Sequence, residues 1–178
     1  LASVSAARPK VADYPFTTLE PQLGIVELPG ERRMVLADIP GLIEGAQHGA
    51  GLGHAFLRHI ERTRIIVHLL DLYPADNSTP ADNYRKIRRE LEAFSDVLAK
   101  KDELIVANKI DLSTDDQAAL KQLRKSLRGR EILVISGATR HGLPELLEAI
   151  WRRLTEAAPL TPPATAAEGV AEVRPPSR

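Results

Sequence analysis

Apolar residues along the chain are arranged in two ways. Residues 23–28 and 34–37 are short apolar runs on either side of Pro29-Gly30-Glu31-Arg32, a turn-rich segment short enough to close an antiparallel hairpin. Residues 65–70 (IIVHLL), 104–107 (LIVA) and 132–135 (ILVI) are instead β-branched and almost continuously apolar, the pattern of strands covered on both faces inside a sheet. Between these runs the spacing changes to three and four. It predicts helices over 53–63, 81–100 (Tyr84, Ile87, Leu91, Phe94 and Leu98 on one stripe), 114–127 and 144–157. Alternation of strand and helix implies right-handed crossovers and a parallel sheet. The expected fold is α/β in three layers, mostly parallel with one antiparallel hairpin, its ligands at the carboxyl ends of the strands. Residues 1–7 read as the end of a helix whose beginning is absent.

Past residue 158 the pattern stops. Pro159, Pro162, Pro163, Pro175 and Pro176, set among Ala, Thr and Glu, cannot continue a helix or bury enough apolar surface to offset chain entropy. Residues 1–158 are therefore expected to form one domain and 159–178 a disordered tail or linker. Twenty-four Lys plus Arg balance twenty-four Asp plus Glu, which argues against a generally basic nucleic-acid binder but leaves local patches open. The absence of cysteine excludes disulfides, thiolate metal sites and a cysteine nucleophile, and suits a cytoplasmic location. The longest apolar stretches fall far short of the roughly 20 residues that span a bilayer.

Four segments carry candidate chemistry. Asn108-Lys109-Ile110-Asp111 follows the apolar run 104–107, at the carboxyl end of an expected parallel strand. Guanine presents a ring N–H and an exocyclic amine side by side. A carboxylate at Asp111 can accept both, a charge-assisted pair that adenine cannot supply. Asn108 can tie neighbouring loops together, and the Lys109 stem can lie along the flat face of the base. The same residues would also serve as a polar loop that caps the next helix. Asp38-Ile39-Pro40-Gly41 ends the second hairpin strand and leads into a glycine-rich stretch. Asp38 could hold a water of hydrated Mg²⁺, with the Gly41 N–H meeting a terminal phosphate, although Asp-x-x-Gly alone also describes an ordinary turn. In Tyr14-Pro15-Phe16-Thr17-Thr18-Leu19-Glu20 a hydroxyl and a backbone N–H could complete that site, Thr18 being the metal ligand of choice. Ser136-Gly137-Ala138, leaving the 132–135 run, could offer backbone N–H groups to a base carbonyl.

In order and spacing these segments resemble the switch I, Asp-x-x-Gly, Asn-Lys-x-Asp and Ser-Ala elements of P-loop GTPases. More narrowly, YPFTTLEPQLGIV at 14–26, ADIPGLIEGAQHGAGLGHAFLRHIERTRIIVHLLD at 37–71 and NKID at 108–111 are similar to the GTPase domain of the Obg family, over about residues 1–155. The resemblance implies a GTP-binding and GTP-hydrolysing switch that uses Mg²⁺ and acts in assembly of the large ribosomal subunit, with that subunit and its RNA as partners. It implies that Phe16, Thr17, Thr18, Leu19 and Glu20 touch the nucleotide and that Thr18 coordinates Mg²⁺. Asp38, Ile39, Pro40 and Gly41 would meet the γ-phosphate side. Asn108, Lys109, Ile110 and Asp111, with Ser136, Gly137 and Ala138, would hold the base of GTP or GDP. The chain is read as a monomer.

Three departures shape the reading. Nothing matches G-x-x-x-x-G-K-[ST], the loop whose amides and lysine cradle phosphates, so the chain is expected to lack that loop and the first strand and to bind nucleotide weakly by itself. The competing expectation is a remnant without turnover that serves only as a protein or ribosome interaction module. Leu42 stands where Ras-like proteins carry the glutamine that orients water, so no catalytic side chain is assigned. Gly137 replaces the usual alanine of the base-binding loop. Among other candidates, His54 and His59 are too far apart for paired metal ligands on one helix face, and His68 reads as a hydrogen-bonded core histidine. Arg85, Lys86, Arg88 and Arg89 read as a solvated helix face with salt pairs, and Trp151 and Leu154 as core.

Overall fold

The computed structural model describes residues 1–5, 22–38, 54–113 and 117–156, with the side chains of residues 54–56 excepted. Strands β1 (Gln22–Leu28) and β2 (Arg32–Asp38) pair antiparallel with Leu28 opposite Arg32. The turn between them places Gly30 and Glu31 at φ 77° and 58°, a left-handed geometry that glycine adopts without steric cost. Strands β3 (Ile66–Asp71), β4 (Glu103–Asn108) and β5 (Ile132–Val134) form a parallel sheet in the order β3-β4-β5. Helices α1 (His54–Glu61), α2 (Pro80–Phe94), α3 (Asp96–Ala99), α4 (Ala118–Ser126) and α5 (Leu143–Glu156) complete the described chain.

The layers follow from the central strand. Along β4 every residue from Leu104 to Ala107 is buried, and alternate side chains point to opposite faces. Leu104 and Val106 pack with Leu143, Leu146, Ala149 and Ile150 of α5 and with Val26, Leu28 and Met34 of the hairpin. Ile105 and Ala107 pack on the other side with Ala81 and Tyr84 of α2 and Leu120 and Leu123 of α4. Each buried Val, Leu, Ile or Met among them contributes about 1.5–3 kcal/mol. Among the described residues the hairpin and the parallel sheet share no strand pairing; α5 bridges them. Arg32 strengthens the bridge with a bidentate pair to Glu148 of α5 at 2.8 and 2.7 Å, its guanidinium 5.6 Å from the Trp151 ring centroid. Trp151 and Leu154 lie partly buried against this core, as their spacing predicts.

Three expectations are corrected. The helix expected over 81–100 is two helices. Ser95 takes an extended conformation (φ −161°, ψ 154°), and its hydroxyl caps α3 by accepting from the Leu98 N–H at 3.3 Å. The apolar spacing survives the break because Leu91 and Leu98 both bury against Leu57 and Ile60 of α1, so periodicity alone could not reveal it. Within 65–70, Leu69 is 50% exposed: among the described residues β3 pairs on one side only, with β4, and it is not covered on both faces. His68 is buried, but neither ring nitrogen finds a hydrogen-bond partner among the described residues; the Glu103 carboxylate lies 3.9 Å from Nδ1 and the Tyr84 ring is tilted against the imidazole at 4.8 Å. At the start of the chain, residues 1–5 form a turn in which the Val4 and Ser5 N–H groups donate to the Leu1 carbonyl, and Val4 packs against the α5 core. Residues 6–7 and 159–178 lie outside the described residues.

Candidate functional site

The loops that leave β4 and β5 at their carboxyl ends meet. Parallel pairing sets Asp71 beside Asn108 and carries β5 alongside β4 through Ala107 and Val134. The register continues past β5: the Ile135 N–H donates to the Ala107 carbonyl at 2.8 Å, and the Ile110 N–H donates back to the Ile135 carbonyl at 3.2 Å. Asn108 then fastens the two loops, its Oδ1 accepting from the Gly137 N–H at 2.9 Å. Ser136 is fully buried, its N–H donating to the His141 carbonyl and its Oγ accepting from the Thr139 N–H at 3.0 Å. The Ser3 hydroxyl donates to the Gly137 carbonyl at 3.0 Å, which draws the first turn of the chain to the same loop.

One glycine is indispensable to this arrangement. Gly142 has φ 71°, and a Cβ there would sit 2.3 Å from the Val134 carbonyl oxygen. A side chain would therefore push apart β5 and the turn that delivers His141 to Ser136. Gly137 differs, since a Cβ would meet only Asn108 side-chain atoms at 3.7 and 3.9 Å, ordinary contact distances. The alanine usual at this position would fit without disturbing the Asn108 tether.

Lys109 adopts a left-handed backbone (φ 69°, ψ 33°), and Ile110–Leu112 follow as a single 3₁₀ turn. That kink presents the exposed Lys109 and Asp111 side chains at the rim of the sheet. The Lys109 ammonium pairs with the Asp71 carboxylate at 2.7 Å, and the other oxygen of Asp71 accepts from the Tyr73 N–H at 2.8 Å. Tyr73 and Ser113 hydroxyls are 2.8 Å apart and brace the far side of the turn. Asp71 was not among the residues singled out from the sequence; the available signal was a carboxylate closing an apolar strand beside the one that carries Asn108.

The structure thus brings together Asn108, Lys109, Ile110 and Asp111 with Ser136, Gly137 and Ala138. Asp38 stands exposed at the end of β2. Phe16, Thr17, Thr18, Leu19, Glu20, Ile39, Pro40 and Gly41 lie outside the described residues, as does Leu42. A rim that offers a carboxylate, a lysine stem and backbone N–H groups within two linked loops can accept paired N–H donors on a planar ring and donate to a carbonyl on its other edge.

Comparison with known proteins agrees with this geometry. The sequence model of the family described as "50S ribosome-binding GTPase" matches residues 1–109, and the chain belongs to that family. Within it the Obg resemblance holds. The chain is 48% identical over 158 residues to GTPase Obg of Aquifex aeolicus, covering 88% of this chain and 46% of that protein. It is 50% identical over 158 residues to GTPase Obg of Crocosphaera subtropica, covering 88% and 45%. The chain thus spans less than half the length of these relatives. Among solved structures, the G domain of the FeoB iron transporter of Thermotoga maritima superposes with a TM-score of 0.55 at 19% identity, over 86% of this chain and 87% of that one. Elongation factor SelB of Methanococcus maripaludis, solved with the GTP analogue GppNHp, gives 0.56 at 18% identity over 80% and 30%. The fold is that of P-loop GTPase domains, as the resemblance implies, and the three-layer α/β arrangement is the one the strand and helix pattern predicts. No described helix is long and apolar enough to cross a membrane.

Proposed function

We propose that this chain supplies the guanine-reading part of a GTP-binding and GTP-hydrolysing switch that acts in the cytoplasm on the large ribosomal subunit. The observation that carries the reading is the junction of the two strand-end loops, where Asn108 holds Gly137 while Asp111 stays exposed at the rim. In this reading Asp111 accepts the two adjacent N–H donors of guanine, the Lys109 stem lies on the base, and the 136–138 backbone donates to the base carbonyl. The relatives named GTPase Obg and the ribosome-binding family model support the reaction and the partner.

Mg²⁺ would be held on the phosphate side. Asp38 would hold a water of the hydrated ion, and Thr18 would be its protein ligand. When bound, the ion would neutralise charge on the phosphates. Phe16, Thr17, Leu19 and Glu20, with Ile39, Pro40 and Gly41, complete the contacts to the phosphate side in this proposal. Residues 1–158 act as one monomeric GTPase-type unit and 159–178 as a tail.

The 178 residues contain no G-x-x-x-x-G-K-[ST] sequence. Losing three charge-assisted phosphate bonds of about 1.5–3 kcal/mol each weakens binding by about three to five decades or more. By itself, then, the chain holds GDP weakly. Titration of fluorescent GDP against this chain and against a form carrying a lysine-bearing phosphate loop ahead of Leu1 tests the point: only the longer form binds tightly. Equal tight binding by both would refute it. In the longer form Asp111→Asn shifts preference from guanosine to xanthosine nucleotides, and an unchanged preference would remove the proposed base contact.

A further inference from the structure

Charge is spread unevenly over a chain whose formal net charge is zero. Between Gln117 and Arg130 there are five cations, Lys121, Arg124, Lys125, Arg128 and Arg130, and no carboxylate. Arg130 is engaged by the buried Glu103 at 2.9 Å. The other four are exposed, and none forms an ion pair with a described residue. Their spacing follows from the buried side of α4: Leu120, Leu123 and Leu127 face the core, which leaves positions 121, 124, 125 and 128 outward. Helix α2 lies alongside, with the Arg85 guanidinium donating to the Ser126 carbonyl at 3.0 Å. Lys86 and Arg89 are exposed on that helix. Of the acids near this face, Asp82 is committed to Arg85 and Thr79 and Asp76 to Ser78, while Glu90 follows Arg89 in the chain.

Helix-end charge compensation accounts for part of this pattern. Cations in the last turn of a helix contribute about 0.3–1 kcal/mol through the backbone dipole, and Arg124 and Lys125 occupy that turn in α4. Lys121 lies ahead of it and Arg128 beyond the helix, so the dipole does not explain the whole row. The face also lacks an apolar anchor: Leu23, Ile25, Val35, Leu69, Val97 and Leu112, the exposed large hydrophobic residues of the described chain, all lie on other elements. Protein interfaces draw their affinity from buried aromatic and aliphatic anchors, whereas a phosphate backbone asks only for cations and releases counterions to them.

We propose that the face built by α4, the turn after it and the adjoining half of α2 binds the phosphate backbone of RNA, independently of sequence. The identity of this polyanion rests on the ribosome-associated reading above; the charge argument does not. The assay is fluorescence anisotropy of a labelled RNA duplex titrated with the 178-residue chain over a series of salt concentrations, with no nucleotide present. Failure of the guanine-site proposal therefore leaves the result untouched. Replacing all four cations (Lys121→Gln, Arg124→Gln, Lys125→Gln and Arg128→Gln) is expected to reduce the slope of log K against log salt by about 3 and affinity at 0.1 M salt by about 10²–10³-fold. The control pair Arg33→Gln and Arg152→Gln, on β2 and α5, leaves both nearly unchanged. All six positions are exposed, and a urea titration confirms that each variant folds. The proposal is overturned if the wild-type chain fails to bind RNA at low salt, or if the fourfold variant keeps the wild-type slope. It is also overturned if polyglutamate of equal charge displaces the RNA as effectively as unlabelled RNA does, which would assign the face to an acidic protein.

Discussion

Replacing Asn108 by alanine removes one hydrogen bond between the two loops and little else. The lost contact is the 2.9 Å bond from the Gly137 N–H to Oδ1, in a partly buried setting. A bond of this kind contributes about 0.5–1.5 kcal/mol net. The backbone bonds around it remain: Ile135 to Ala107, Ser136 to His141 and Leu72 to the Asn108 carbonyl. Opening of the 136–138 loop should therefore become easier by that amount, while the sheet beneath keeps its stability. At 1.4 kcal/mol per decade, the Gly137 amide should exchange with solvent about 2- to 12-fold faster in Asn108→Ala. The Ile135 and Val106 amides should stay within about twofold of wild type. Asn108→Asp keeps an acceptor oxygen in place and should preserve protection at Gly137. Unchanged exchange at Gly137 in the alanine variant, or equal acceleration throughout β4 and β5, would refute the claim that this side chain is a local tether.

Three further outcomes follow from the same contacts. Gly142→Ala combines a left-handed backbone with a Cβ 2.3 Å from a backbone oxygen. It should cost about 3 kcal/mol or more in urea unfolding, and a loss below about 1 kcal/mol would contradict the geometry. Gly137→Ala should be neutral or stabilise the chain by about 0.4–1 kcal/mol, because the site accepts a methyl and the unfolded chain loses freedom; a clear destabilisation would show that the loop needs glycine. Burial pushes the Glu103 carboxyl up, but the His68 imidazole, the Tyr84 hydroxyl and Arg88 together outweigh it and hold it below the ordinary carboxylate range. Its stabilising share is thus complete above the unfolded carboxyl pKa of about 4.3 and is lost as pH falls through the lower folded value. Glu103→Gln should destabilise the chain at neutral pH and flatten the acid limb of the stability curve; an unaltered acid limb would show that Glu103 does not titrate with folding.

The fold was legible where burial dictated residue type. Residues 104–107 had to be apolar on both faces because both α5 and the α2 and α4 pair cover β4, and that made the central strand easy to read. The hairpin and α5 were equally plain, the first from its turn and the second from its apolar stripe. What stayed hidden depended on contacts between distant residues. Ser95 breaks a helix without interrupting its apolar rhythm, and its cap bond is invisible to periodicity. Leu69 on β3 is exposed, and no property of the leucine announces it. At the site, Asn108, Lys109 and Asp111 stood out by spacing, because a base needs those groups within one turn. Asp71 did not, because its role rests on parallel register across a helical crossover of more than thirty residues. His68 reads as a hydrogen-bonded core histidine; only the structure shows it facing Glu103 and Tyr84 with no hydrogen bond among the described residues.

The clamp between Arg32 and Glu148 also has a consequence in time. A two-stranded hairpin is marginal in water unless something covers it, and here the cover is α5, made from residues emerging long after β2. At 5–20 residues per second, the roughly 120 residues between them take about 6–24 s to synthesise. During that interval the nascent hairpin lacks the α5 part of its cover, so a chaperone acting on this protein should be needed most before α5 appears and little after it.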